Sequence, residues 1–258
     1  MLTKLMKYEL NATARFLMPL YIMLAFLTLF TKLTLSITTD NYLLLALSNI
    51  FYFLYIISII VVAVTTFLLI IMRFYKNLFT GEGYLMFTLP VKVHELINSK
   101  LIISILWAVL SILLCFSSLL LVIPSTAALN PSASSFTLST FYNMAVNYGF
   151  GKTFLVLLMV FTMLVYNILT FYAAIAVGQS ISSNKIVGSL IAYIGIYTIG
   201  QMFSGMLLVI IMLLKIDVND ERLILTLVLT LGLLVSTIGS AVFYTVIHRF
   251  LKRRLNLE

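Results

Sequence analysis

The sequence predicts an all-α integral membrane protein with six transmembrane helices, an amphipathic interfacial helix at its start, and both ends in the cytoplasm. Composition, six long apolar runs and the placement of basic residues carry that prediction. Hydrophobic residues make up 62% of the 258 residues and charged residues 9%, against roughly 45–50% and 25% in a soluble domain. A soluble fold of this size could not hide so much apolar surface, so lipid must solvate much of it. The net charge of +8 does not point to nucleic acid. That would need a dense basic patch facing water, whereas here short basic clusters sit between apolar runs, placed to meet lipid phosphates and cytosol.

In chain order, residues 1–15 read as an interfacial helix. Leu2, Leu5, Met6 and Leu10 share one face, while Lys4, Lys7, Asn11 and Arg15 share another, which sets lysines among phosphates and leucines among acyl chains. Glu9 falls on the apolar side and needs water or a partner there. No small-x-small cleavage site follows, so a cleaved signal peptide is not expected.

Six spans follow, near 17–38, 43–72, 98–123, 153–178, 186–214 and 223–247. Each reaches the length of about 20 helical residues that crosses about 30 Å of hydrocarbon. Within lipid every backbone polar group must pair locally, and near-continuous apolar runs favour helices over a barrel. With the start inside, twelve basic residues fall in cytoplasmic segments and four, Lys32, Lys152, Lys215 and Arg222, in outer ones. That bias fixes the expected orientation. The whole chain, 1–258, reads as one transmembrane domain, with a cytoplasmic segment over 73–97 and an extracellular loop over 124–150. The loop lacks charge and holds Phe136, Phe141, Tyr142, Tyr148 and Phe150, as suits a cap at the outer interface.

Catalytic and metal-binding chemistry is not expected. The one cysteine, Cys115, and the two histidines, His94 and His248, lie far apart in sequence, too little material for a metal cluster. Gly151-Lys152-Thr153 ends like a phosphate-binding loop, but Val146 occupies the first glycine position and the strand context is missing. Lys32 sits inside an apolar run, where it either snorkels to the interface or contacts an anionic substrate or headgroup. Asn167 either bonds between helices or lines a path. Gly188, Ala192 and Gly195 in the fifth span, and Gly232, Ser236 and Ser240 in the sixth, mark faces for close helix packing.

The segment between the second and third spans is the most informative. Gly81 and Gly83 flank Glu82 and should break helix, and Pro90 fits a new helix start. Between them Tyr84, Leu85, Met86 and Phe87 form an apolar stretch that needs a partner surface.

Here the chain resembles the permease subunits of type-2 ABC exporters, in their Gram-positive form. The match rests on Glu82-Gly83, Leu89-Pro90-Val91-Lys92 and Lys100 in order and spacing, and on the opening Lys7-Tyr-Glu-Leu-Asn-Ala-Thr-Ala-Arg-Phe16. Gly81 ahead of Glu82 departs from the pattern, which implies a shorter coupling helix. The resemblance implies that residues 1–15 form an elbow helix and that 76–90 sits in a cleft of a separate ATPase. Lys76, Phe79, Gly81, Glu82, Gly83, Tyr84, Phe87, Pro90 and Lys92 would build that junction. ATP and Mg would belong to the partner ATPase, and this chain would be non-catalytic with no cofactor of its own. Gly188, Ala192 and Gly195 would meet a second permease subunit, identical or homologous, in a bacterial plasma membrane. The cargo would be amphipathic or hydrophobic, with peptide favoured. The alternative is a membrane protein that works without an ATPase, such as a bacteriocin-immunity or signalling-partner protein.

Overall fold

The computed structural model describes residues 2–36, 42–80, 83, 92–124, 142–143, 146–147, 149–179, 185–213 and 221–253. Its regular elements are six long α-helices: α1 (Leu2–Ser36), α2 (Tyr42–Phe79), α3 (Val93–Val122), α4 (Phe150–Gly178), α5 (Lys185–Leu213) and α6 (Glu221–Arg253). All six are long and apolar enough to cross a membrane, and no strand occurs among the described residues. Apolar side chains are exposed along their whole lengths, including Ile22, Phe53, Leu113, Phe154 and Ile194, as expected where lipid is the solvent.

Several boundaries differ from expectation. Residues 1–15 do not form a separate element, because α1 runs unbroken from Leu2 to Ser36 with Pro19 inside it. The stretch before Pro19 holds no glycine or other proline, and a proline removes only one ladder bond, which transmembrane helices tolerate. Along it Lys4, Lys7, Asn11 and Arg15 are exposed, Leu5, Met6 and Leu10 half-buried, and Glu9 buried and engaged by a neighbour. The second span continues as helix to Phe79, and the third begins at Val93. Both helices thus extend past their apolar runs into the expected coupling segment.

The chain divides into two compact units, with cuts inside α2 after Ile70 and inside α3 after Leu101. One unit holds residues 3–70 and 102–150. Its core seam on α1 is Thr13, Leu17, Tyr21, Leu24, Thr28, Thr31 and Leu35, every third or fourth residue. These meet Tyr55 and Val62 of α2 and Ile103, Trp107 and Val122 of α3. Lipid gives helices no hydrophobic reason to associate, so polar bonds and close packing must hold them together. A polar stripe on α3 supplies the bonds. The Trp107 Nε1–H donates to Thr13 Oγ1 at 2.6 Å, and Thr13 Oγ1 donates to the Glu9 carbonyl at 2.8 Å. Ser111 Oγ lies 2.6 Å from the Tyr21 hydroxyl and 2.9 Å from Thr66 Oγ1. Ser118 Oγ lies 3.1 Å from the Tyr55 hydroxyl. The stripe ties α3 to α1 at Trp107 and Ser111, and to α2 at Ser111 and Ser118.

The other unit holds residues 1–2, 71–101 and 151–258. Its α6 presents a small-residue groove to α4. A Cβ on Gly232 would meet Met159 Cε at 2.6 Å, one on Gly239 would meet Tyr166 Cε2 at 2.5 Å, and Ser236 Oγ donates to Thr162 Oγ1 at 3.0 Å. The expected ladder therefore runs through Gly232 and Ser236 but continues at Gly239; Ser240 bonds its own helix at the Ser236 carbonyl. At Gly178 the backbone of Ser189 itself closes on the position a Cβ would take. These contacts order the cost of Gly→Ala. Gly178→Ala is expected to destabilise most, at the upper end of the about 1–3 kcal/mol typical of overpacking. Gly232→Ala should cost least because the Met159 side chain can swing away, with Gly239→Ala between them. Thermal unfolding of the three detergent-solubilised variants checks that order.

Candidate functional site

The described part of the expected coupling segment is its two ends, the last turns of α2 and the first of α3. Both ends are closely packed within their unit. Phe74 and Leu78 of α2 and Leu96 and Ile97 of α3 are buried. Phe74 stacks on Tyr172 of α4, with ring centroids 3.7 Å apart and planes 8° from parallel. Residues 168–170 and 172–176 of α4 are all buried, four of them the small residues Ala173, Ala174, Ala176 and Thr170, which let neighbouring helices approach. From α6, Ile247 and Leu251 are buried, and the Tyr244 hydroxyl donates to Asn98 Oδ1 of α3 at 2.9 Å. Asn77 and Lys100 are buried polar groups here, and each is engaged by a neighbour.

The connection itself is pinned at both ends. Thr80 Oγ1 donates to the Lys76 carbonyl, and the buried Gly83 donates its N–H to the Thr80 carbonyl at 2.7 Å. That i→i−3 bond lies just past Phe79, where α2 ends ahead of Gly81 and Gly83. At the far side Lys92 is the N-cap of α3. Its N–H donates to Glu95 Oε2 at 3.4 Å, and its carbonyl accepts from the Glu95 N–H at 2.9 Å. A glutamate at the third helical position reaching back to the cap is half of a capping box.

Of the residues expected at the ATPase junction, Lys76 and Lys92 are exposed, Phe79 is half-buried with its ring 5.9 Å from Phe74, and Gly83 is buried. Gly81, Glu82, Tyr84, Phe87 and Pro90 lie outside the described residues. Lys32 is exposed near the end of α1. Asn167 is exposed on α4, where its Nδ2 donates to the Met163 carbonyl at 2.8 Å, and it borders a cavity. Gly188 is buried, Ala192 and Gly195 are half-buried, and a Cβ on Gly195 would meet open space. Of the aromatics expected in the outer loop, Tyr142 and Phe150 are exposed, while Phe136, Phe141 and Tyr148 lie outside the described residues. No group of His, Cys, Asp or Glu able to hold a metal occurs among the described residues.

The polar stripe on α3 escaped the sequence reading, although Trp107, Ser111 and Ser118 lie at near-heptad spacing and could have revealed it. Phe74 and Tyr172 carried no signal, because their pairing joins residues far apart in sequence. The class defined by these features is a six-helix, multi-pass membrane protein. No family model, curated protein or solved structure matches the chain.

Proposed function

We propose that this chain is the membrane subunit of an ATP-driven exporter of the type-2 ABC kind, moving an amphipathic or hydrophobic substrate, in first place a peptide, out across a bacterial plasma membrane. In this reading both termini and the 80–92 connection face the cytoplasm. A separate ATPase binds and hydrolyses ATP with Mg, and Glu82, Tyr84 and Phe87 contact it. A second permease subunit completes the transporter, with the open Gly195 face of α5 available to it.

The observation that supports this reading best is the packing of the connection's two ends. Phe74 stacked on Tyr172 and Asn98 bonded to Tyr244 tie those ends to α4 and α6. A force applied to the connection would reach those helices through close-packed side chains, which shift as bodies rather than deform. A solvated linker has no need of such a base.

The test is co-purification. The tagged chain, expressed in its native host and solubilised in mild detergent, is expected to bring down an ATPase subunit. Glu82→Ala combined with Phe87→Ala should reduce that yield by about tenfold or more, as loss of central interface anchors does. Undiminished capture by the double variant would overturn the assignment. So would labelling of Tyr84→Cys, in a Cys115→Ala background, by an impermeant maleimide on intact cells.

A further inference from the structure

Between α4, α5 and α6, within one compact unit, lies a cavity of about 390 Å3, in the range that holds small ligands. Asn167 lies eleven residues from the end of α4, and Tyr197 twelve from the start of α5. At about 1.5 Å per residue those distances are about 16 and 18 Å, near the middle of a hydrocarbon layer about 30 Å thick.

The lining combines apolar and neutral polar groups, and no charged side chain borders it. Asn167 Nδ2 is committed to its own helix, at the Met163 carbonyl. Gln201 Nε2 donates to the Tyr197 hydroxyl at 3.0 Å, which leaves the phenolic proton free to donate. Among the described residues neither Asn167 Oδ1 nor Gln201 Oε1 accepts a hydrogen bond. Such amide acceptors facing hydrocarbon are unfavourable until something pairs with them. Around this cluster Tyr193 stacks on Phe171 with centroids 4.5 Å apart, giving a rigid aromatic wall. Met159 and Met163 give an adaptable one.

We propose that this cavity is a binding site for an uncharged amphipathic molecule, whose hydroxyl- or amide-bearing head meets Asn167, Tyr197 and Gln201 while its apolar body lies along the methionines and tyrosine rings. A charged head, carboxylate or ammonium, would find no counter-ion at this depth. The site stands whether or not the chain couples to an ATPase.

The experiment uses the purified full chain in lipid nanodiscs. The probe is a photoreactive monoacylglycerol, with the matching photoreactive fatty acid as the charged control. Labelling by the uncharged probe is expected to be saturable, to map to peptides containing Met159–Thr170 or Tyr193–Ser204, and to be displaced by unlabelled monoacylglycerol. Asn167→Leu with Gln201→Leu should weaken apparent affinity by about tenfold or more, the scale of two lost hydrogen bonds. Gly200→Leu should abolish labelling, since a Cβ there already sits 3.6 Å from the Tyr166 hydroxyl and a longer chain must enter the cavity. Non-saturable labelling, equal labelling by the fatty acid, or a map dominated by the exposed face of α2 would overturn the proposal. These readouts on the unmodified chain decide the matter even if a variant fails to fold.

Discussion

Trp107→Ala is expected to destabilise the protein by about 3–5 kcal/mol, the range for removing a buried large aromatic. Trp107 is 3% exposed, its ring lies 5.9 Å from that of Tyr21, and its Nε1–H donates to Thr13 Oγ1 at 2.6 Å. The alanine variant loses the packing and the bond together. Trp107→Phe separates them, because it refills much of the volume and gives up the bond. Thr13 keeps its own donation to the Glu9 carbonyl, so the phenylalanine variant leaves no hydroxyl proton stranded. An interhelical bond in lipid averages about 0.6 kcal/mol and reaches about 1.7. A double-mutant cycle of Trp107→Phe with Thr13→Val should return a coupling in that range. Equilibrium unfolding in mixed micelles, followed by circular dichroism, provides the measurement. A Trp107→Ala loss below about 1 kcal/mol would show that α1 and α3 do not depend on this contact.

Phe74→Ala has the second large expected effect, again about 3–5 kcal/mol. Phe74 is fully buried and stacked on Tyr172. Aromatic pairs contribute about 0.5–1.5 kcal/mol beyond their area, so a cycle of Phe74→Leu with Tyr172→Leu should show coupling of that size. A functional readout separates this contact from ordinary core packing. If the chain couples to an ATPase as proposed and the ends of the 80–92 connection carry force, Phe74→Leu should leave the chain folded and able to capture that ATPase while transport per ATP falls. Unchanged transport in a folded Phe74→Leu variant would remove the mechanical role and leave only the structural one.

Much of the architecture was legible because each signal is local. A run such as residues 153–178, free of Lys, Arg, Asp and Glu, announces its own solvent, since each residue's transfer into hydrocarbon is set by its own side chain. The end of α2 at Phe79 was equally local, because Gly81 and Gly83 follow it and glycine disfavours a continuing helix. Helix limits were less legible. Apolar runs mark hydrocarbon thickness, whereas a helix continues while its backbone can bond, so α2 carries on through Arg73 and Lys76 to Phe79. In α1 the alternation of faces was readable, but the absence of a break before Pro19 was not.

The sequence by itself determined that six helices lie in lipid and which of their residues are greasy, charged or small. Only tertiary structure decided which faces meet: Trp107 with Thr13, Phe74 with Tyr172, and Gly239 rather than Ser240 against α4. It also decided that the compact units divide inside α2 and α3, where no glycine or proline signals a boundary. The physical reason is that partition into lipid sums over single residues, while helix association in lipid rests on contacts between residues far apart in sequence.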